Sequence, residues 1–169
     1  MTGYVVDASI VVKWLVAEEW SDESSRLLDA GMTLIAPELV FAEASNALWA
    51  MHRRGDFTRD DLAEAVDVLK AAPVAVPVSM RRLAASAVRL AVDLGHPAYD
   101  CYYLALAMQE QYPVITADTR FYERVREHPY LSDRIVHVAR ASPTTRRLTA
   151  PRGAQPTLQE SAPFYGADS

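Results

Sequence analysis

The 169-residue sequence predicts an α/β fold, a three-layer α/β/α sandwich around a mostly parallel central sheet of about five strands. Short apolar runs, such as YVV at 4–6 and PVIT at 113–116, have the length and composition of buried strands. Longer segments with apolar residues at helical spacing separate these runs, and half of all residues are hydrophobic. Strands and helices that alternate in this way form parallel sheets with helices on both faces.

The predicted elements follow one another with clear start and stop signals. The first strand, YVVD at 4–7, leads into a helix at 9–17, and a second helix begins at Ser21 and stops at Gly31. Thr58 and Asp61 have the spacing of a capping box. The remaining elements are, in order, a strand at 33–37, helices at 38–55 and 58–72, an edge strand at 73–78, helices at 79–95 and 97–111, and strands at 113–118 and 134–140.

The composition changes near residue 141 and divides the chain into two parts. Residues 1–140 are expected to form one folded domain. Residues 141–169 are rich in Pro, Ser, Thr and Gly and lack periodicity, which predicts a disordered C-terminal tail. Phe164 and Tyr165 within the tail could dock on the domain, although a loose end is the simpler interpretation.

Charge and composition narrow the class of protein. The net charge of −5 differs from that of most nucleic-acid-binding proteins, which are basic, but bound metal ions can invert the local field. The single cysteine, Cys101, excludes an internal disulfide and is consistent with a reducing compartment. We find neither a signal peptide nor an apolar run of about 18 residues, so we expect a soluble cytoplasmic protein.

Two predicted strands end on aspartate. Asp7 closes the first strand, and Asp118 closes the strand at 113–118. The carboxyl ends of parallel strands line the crevice in which open α/β sheets bind ligands, so neighbouring strands would bring both carboxylates there. Each aspartate alone has a simpler explanation, because aspartate commonly caps a helix or starts a turn. The matched positions of the two favour a functional site.

Glu43 lies on an apolar face of its predicted helix. Its neighbours at helical spacing are small or aliphatic, namely Leu39, Val40, Ala47 and Ala50. Burying an unpaired carboxylate costs several kcal/mol, so Glu43 needs a partner. Asn46, one turn further on, could orient it. A buried arginine or a position at the rim would also explain Glu43, but a metal ion explains it better.

Asp100 lies near the start of the helix at 97–111. An acid at this end of a helix is favoured by the helix dipole, by about 0.3–1 kcal/mol, and this is the simpler explanation. Its helical neighbours Tyr103, Leu104 and Ala107 nevertheless form a packing face. We therefore expect the carboxylate to point along that face toward the sheet.

Four acids at one crevice would imply a bound cation. Carboxylates held close together raise one another's pKa and stay ionised only with a cation between them. Oxygen ligands select hard ions such as Mg²⁺ or Mn²⁺, and these ions can activate water for phosphodiester cleavage. Ser9, two residues after Asp7, would then support a ligand or position a water molecule.

Four segments, taken together and in order, resemble the PIN domain, in particular the VapC-like ribonuclease toxins of bacterial toxin–antitoxin pairs. They are D-x-S at 7–9, PELVFAEASNAL at 37–48, PAYDCYYLALA at 97–107 and ITADTRF at 115–121. The resemblance covers about residues 3–139 and implies a Mg²⁺- or Mn²⁺-dependent endoribonuclease. It assigns Asp7, Glu43, Asp100 and Asp118 as the catalytic and metal-binding acids, and Ser9, Asn46 and Thr116 as supporting polar residues.

The same resemblance implies partners. Members of the family usually form homodimers, and a small antitoxin protein commonly inserts a segment into the active-site groove. Such members usually stop near the last strand. Residues 141–169 depart from that pattern and have no role by resemblance.

Basic and aromatic side chains near these elements could contact RNA. The basic candidates, each of which could hold a phosphate, are Lys13, His52, Arg53, Arg54, Arg120 and Arg124. Trp14, Trp49 and Tyr103 could stack on bases. For any one of them a solvated surface, a core position or a dimer interface is the simpler interpretation. The histidines lack triad or zinc spacing, and the burial expected for Cys101 argues against a nucleophile.

Three other functions are compatible with parts of the pattern. A phosphohydrolase with an aspartyl nucleophile usually has D-x-D after the first strand, where this chain has Ser9. A non-catalytic PIN-like module that binds protein or RNA has no need for four converging acids. A PIN ribonuclease of RNA maturation is not separated from a toxin by sequence, and a small copurifying partner would favour the toxin.

Overall fold

The computed structural model describes residues 3–29 and 31–141. Its strands are β1 (Gly3–Val6), β2 (Thr33–Ile35), β3 (Val114–Thr116) and β4 (Ile135–His137). Its helices are α1 (Ala8–Leu15), α2 (Ser21–Asp29), α3 (Leu39–Arg54), α4 (Arg59–Ala71), α5 (Met80–Leu94), α6 (Ala98–Glu110) and α7 (Thr119–Arg126), and a 3₁₀ turn follows β4 at Val138–Arg140. Apart from Ala141, the predicted tail at 141–169, with Phe164 and Tyr165, lies outside the described residues.

The four strands form one parallel sheet in the order β2-β1-β3-β4. Val5 of β1 is paired with Ile35 of β2 on one side and with Val114 of β3 on the other. All four residues of β1 are buried, as expected for a central strand covered on both faces. These observations confirm the predicted α/β fold with a parallel sheet flanked by helices.

The prediction of about five strands is wrong by one, because the segment at 73–78 does not form a strand. It contributes a single parallel bridge, in which Ala75 N–H donates to the Leu34 carbonyl and Ala36 N–H donates to the Ala75 carbonyl, both at 3.0 Å. Pro77, two residues later, has no N–H and cannot continue the ladder. Val76 is also 39% exposed, so its burial would add little to the stability of a longer strand here.

Helix α7 was absent from the sequence prediction, and the last strand is shorter than predicted. Only Phe121 and Val125 of α7 are buried, and two apolar positions in a polar segment give a weak periodic signal. The predicted strand at 134–140 ends at His137, whose ring nitrogen accepts a hydrogen bond from Ala139 N–H and begins the 3₁₀ turn.

Capping and packing explain the remaining elements. The capping box of α4 is present: Thr58 Oγ1 accepts from Asp61 N–H at 3.2 Å, and Asp61 Oδ2 accepts from Thr58 N–H at 2.7 Å. Helix α1 packs against α2, α3 and α4, whereas α6 packs on β1 and β3 and is itself contacted by α5. Among the described residues, no helix combines the length and apolarity required to cross a bilayer.

Candidate functional site

The candidate site lies at the carboxyl ends of β1 and β3, where the connections from β1 lead to opposite sides of the sheet. From β1 the chain moves to β2 on one side, and β3 later occupies the other side. In open parallel sheets this switch point leaves a crevice at the carboxyl ends of the strands. Asp7 follows β1 there and donates its backbone N–H to the Ile115 carbonyl of β3 at 3.1 Å. The ends of β1 and β3 are therefore held side by side.

Asp7 is held by two hydroxyl groups. Its side chain is buried, with 6% of the residue exposed. Its Oδ2 accepts hydrogen bonds from Ser9 Oγ at 2.7 Å and from Thr116 Oγ1 at 2.6 Å. The hydroxyl oxygens in turn accept from the backbone, Ser9 from Ala117 N–H and Thr116 from Asp118 N–H. This network fixes the Asp7 carboxylate against the end of β3.

Burial makes Asp7 a weaker acid than a free aspartate. Desolvation raises its pKa from the ordinary value of 3.8 to about 6, and the charge of Asp100 adds to the rise. The hydrogen bonds from Thr116 and Ser9 oppose the rise but do not cancel it. A buried aspartate that stays costly to ionise despite two donors is a candidate for a functional site.

Glu43 projects from α3 toward α6. Its Oε2 accepts a hydrogen bond of 2.5 Å from the hydroxyl of Tyr103, a residue with 0% exposure. Burial raises the pKa of Glu43, the hydrogen bond from Tyr103 lowers it, and the charges of Asp7 and Asp100 raise it again. Burial and the charges of Asp7 and Glu43 raise the pKa of Tyr103, so its hydroxyl stays protonated and donates.

Asp100 lies in the first turn of α6 beside an imidazole. His96 Nε2 is 2.6 Å from Asp100 Oδ2, and the His96 ring stacks on Phe121 with centroids 5.2 Å apart. Burial raises the pKa of Asp100, the hydrogen bond and charge of His96 lower it, and the charge of Asp118 raises it. The stack on Phe121 fixes the imidazole and hence this side of the carboxylate.

Asp118 caps the helix that follows it. Its Oδ1 accepts from Phe121 N–H at 2.9 Å, which satisfies a free donor in the first turn of α7. Asp118 is therefore an N-cap, and this role does not prevent it from also acting in the candidate site. Its side chain is exposed, unlike that of Asp7.

The four acids interact through their charges. Asp7 and Asp100 raise the pKa of Glu43, Asp100 raises that of Asp7, and Asp118 raises that of Asp100. Within residues 3–29 and 31–141, no three His, Cys, Asp or Glu side chains form a ready set of ligands for one metal ion. The chemistry of the donor set nevertheless fits a hard cation, because the carboxylates of Asp7, Glu43 and Asp100 have raised pKa values and would gain most from a positive charge.

Hydrogen bonds leave part of this donor set available. In the described part of the chain, the bonds to Glu43, Asp100 and Asp118 each use one carboxylate oxygen. The second oxygen of each is then able to meet a cation or water. The site thus combines anchored carboxylates with oxygen atoms that can still take a ligand.

Comparison with known proteins gives this arrangement a family. The sequence model of the PIN domain matches residues 4–127, well over half of the chain. The chain belongs to the PIN domain family. Ribonuclease VapC3 of Pyrobaculum aerophilum is 31% identical to it over 121 residues, which are 71% of this chain and 92% of that relative. The crystal structure of PAE2754 from Pyrobaculum aerophilum matches with a TM-score of 0.60 and 25% identity, over 82% of this chain and 92% of that one.

Two hydrogen bonds in the candidate site, from Tyr103 to Glu43 and between His96 and Asp100, are not predicted by the sequence. Tyr103, a sequence candidate for base stacking, is fully buried, and its hydroxyl donates a hydrogen bond to Glu43. Asn46, expected to orient Glu43, is exposed one turn further along α3. The histidines lack triad spacing, but the spacing of four residues between His96 and Asp100 is a usable signal for their contact.

Some of the side chains predicted to contact RNA bind neighbouring residues of the PIN domain, whereas others are exposed. Three basic residues bind neighbouring residues. Lys13 forms an ion pair with Glu18, Arg54 forms one with Asp56, and Arg124 donates a hydrogen bond to the Leu94 carbonyl. His52 Nδ1 lies 2.7 Å from the Phe57 carbonyl oxygen. Trp14 is partly buried and donates to the Ser24 carbonyl at 2.9 Å, so it is structural. Arg53, Arg120 and Trp49 are exposed.

Replacing Tyr103 by Phe should raise the pKa of Glu43 in the PIN domain. The change removes the only hydrogen bond described for the Glu43 carboxylate and preserves the ring that packs the core. We expect a loss of about 1 kcal/mol in the free energy of unfolding, the usual size for one hydrogen bond. NMR titration of the Glu43 carboxyl carbon and urea unfolding would measure both effects.

The neighbouring Tyr102→Phe provides the matched control. Tyr102 is on the same helix and partly buried against the core, but its hydroxyl makes no hydrogen bond to the four acids in the described part of the chain. It should leave the titration of Glu43 unchanged. Equal titration curves for Tyr103→Phe and the wild type would show that the hydroxyl does not control Glu43.

Proposed function

We propose that this chain is a divalent-metal-dependent endoribonuclease and the toxin of a type II toxin–antitoxin pair in the cytoplasm. The observation that carries the proposal is the electrostatic coupling of four carboxylates at the switch point of a parallel sheet. Membership of the PIN family and the name of the relative Ribonuclease VapC3 support the choice of RNA as substrate.

Asp7, Glu43, Asp100 and Asp118 would hold the metal. When bound, Mg²⁺ or Mn²⁺ supplies a water that is nucleophilic at neutral pH and neutralises charge on the phosphodiester. Tyr103 and His96 act as positioning residues, because their hydrogen bonds fix Glu43 and Asp100.

Ser9 and Thr116 orient Asp7 and keep its pKa lower than burial alone would make it. Asp7 is thereby helped to ionise and to bind a cation at neutral pH. No side chain is required as the base that activates the water, although a carboxylate can assist by accepting its proton.

The proposal includes two protein partners. A second copy of the chain would form a homodimer, and a small antitoxin would block the groove above the four acids. Copurification of a small basic or disordered protein with the untagged chain would support the toxin assignment. Its absence, together with activity on a precursor RNA, would favour a ribonuclease of RNA maturation.

Cleavage of a structured RNA by metal-stripped protein tests the enzyme. We expect no cleavage in chelator and recovery on addition of Mg²⁺ or Mn²⁺. Because water is the nucleophile, the products should carry no 2′,3′-cyclic phosphate, whereas contaminating metal-independent ribonucleases use the 2′-hydroxyl. Cleavage that persists in chelator, or cyclic phosphate ends, would contradict the proposal. If neither ion restored cleavage, calorimetric titration with Mn²⁺ would separate a narrow-target enzyme, which binds the ion, from a non-catalytic module.

A further inference from the structure

Helix α3 presents an aromatic and a cationic side chain to solvent beyond the candidate site. Trp49 is 52% exposed, and the Cζ of Arg53 lies 5.1 Å from the centroid of its ring. The two are four residues apart and hence adjacent on the helix surface. A stacked arginine fixes one side of the indole and leaves the remainder of the ring open to solvent.

Arg53 differs from its neighbours in what it contacts. At the end of α3, Arg54 forms an ion pair with Asp56, and His52 Nδ1 contacts a backbone carbonyl. In the part of the chain that the structure describes, Arg53 has no carboxylate within ion-pair distance, and its recorded contact is the Trp49 ring. Its guanidinium donors are therefore available to an external anion.

The pair lies on the same helix as Glu43. With a rise of about 1.5 Å per residue, Trp49 is about 9 Å and Arg53 about 15 Å along the helix from Glu43. At about 100° per residue, Trp49 is turned about 120° away from Glu43, with exposed Asn46 between them. A strand bound at the four acids could thus pass over Asn46 and reach the pair within the length of a short oligonucleotide.

We propose that Trp49 and Arg53 form a subsite for single-stranded RNA outside the cleaved phosphate. A base stacks on the open part of the indole, and the Arg53 guanidinium binds the adjoining phosphate. This combination of an aromatic platform with a cation is how proteins hold single strands with little sequence preference. The inference rests on the proposed ribonuclease function.

The pairing of an exposed aromatic ring with a cation favours RNA over a protein as the occupant. The chain carries a net charge of −5, and the four acids repel a polyanion. A substrate that must approach them therefore requires cations at the edge of the site to hold its backbone. An acidic partner protein could also meet Arg53, but the open indole face beside a free guanidinium matches the alternation of base and phosphate along a strand.

Binding of a fluorescein-labelled, unstructured 12-nucleotide RNA in chelator tests the subsite without cleavage. We expect Trp49→Ala to weaken binding about tenfold or more, because stacking of one base is lost. Arg53→Gln should also weaken binding, and its salt dependence should fall by about 0.7 in the slope of log K against log salt concentration. In cleavage assays both variants should raise KM with little change in kcat, because neither residue touches the reacting atoms.

Two variants serve as matched controls. Arg54→Gln removes the same charge one residue away, and Tyr130→Ala removes an aromatic that is 84% exposed outside α3. Both should bind the RNA as the wild type does. Equal losses for Arg53→Gln and Arg54→Gln would indicate general electrostatic attraction and overturn the subsite.

The outcomes separate the subsite from the proposed function. Metal-dependent cleavage with unchanged RNA affinity and KM in Trp49→Ala would overturn the subsite and leave the nuclease intact. A change of oligomeric state in Trp49→Ala with unchanged RNA affinity would assign the pair to a protein interface instead. Failure of the wild-type protein both to bind the 12-mer and to cleave RNA would overturn subsite and function together.

Discussion

Asp7→Asn is expected to abolish RNA cleavage while the protein remains folded. The asparagine keeps the shape of the side chain and an oxygen that can accept from Ser9 or Thr116, but it loses the charge that binds a cation. Changes to residues that merely support a metal ligand cost about 10–100-fold in affinity or activity. Loss of a ligand should exceed that, so cleavage should fall to the level of the protein in chelator.

The control for Asp7→Asn is Asp67→Asn, purified in the same way. Asp67 is an exposed aspartate of α4 that pairs with Lys70, and its replacement should leave cleavage unchanged. Circular dichroism and urea unfolding establish that both variants are folded.

Asp100→Asn should abolish cleavage as Asp7→Asn does. A wild-type cleavage rate in Asp7→Asn or in Asp100→Asn would contradict the assignment of these acids as metal ligands.

The second large effect is a loss of stability with rising pH in the metal-free protein. The pKa of Asp7 is 3.8 ordinarily and about 6 when folded, so between these values the folded state binds more protons than the unfolded state. The free energy of unfolding therefore falls as pH rises through this window. The total loss from Asp7 is about 3 kcal/mol, at 1.36 kcal/mol for each pKa unit.

Urea unfolding in chelator from pH 4 to pH 8 measures this loss. Asp7→Asn lacks the ionising group, so its curve should stay flatter, and the variant should be more stable than the wild type at pH 8. Mn²⁺ should stabilise the wild type more at pH 8 than at pH 5, because the ion binds deprotonated carboxylates. Parallel pH curves for the two proteins would show that Asp7 ionises without difficulty in the fold.

The fold was largely predictable because its signals are local. Apolar runs, capping residues and terminal glycines marked the four strands and six of the seven helices. The errors arose where tertiary context decides. Whether 73–78 pairs with β2 depends on two prolines and on burial, and α7 depends on a cap from Asp118 and on burial of two side chains.

The sequence alone suggests the acids of the candidate site but not the side chains that contact them. Carboxylates at strand ends and on apolar helix faces conflict with simple burial, and that conflict is visible in a sequence. The contact between Tyr103 and Glu43 joins residues 60 apart, and the stack of His96 on Phe121 joins the loop before α6 to α7. Helical spacing places each side chain on a face but does not say which side chain from another element meets it.

The buried position of Cys101 makes its thiol a probe for the separation of α6 from the sheet. This sole cysteine follows Asp100, is 0% exposed, and has its pKa raised to about 11 by burial and by the charge of Asp100. Reactive thiolate is scarce in the folded state, so a thiol reagent labels molecules chiefly when α6 separates from the sheet. The rate of thiol labelling therefore measures how often the helix that carries Asp100 separates from the sheet, and no cysteine has to be introduced.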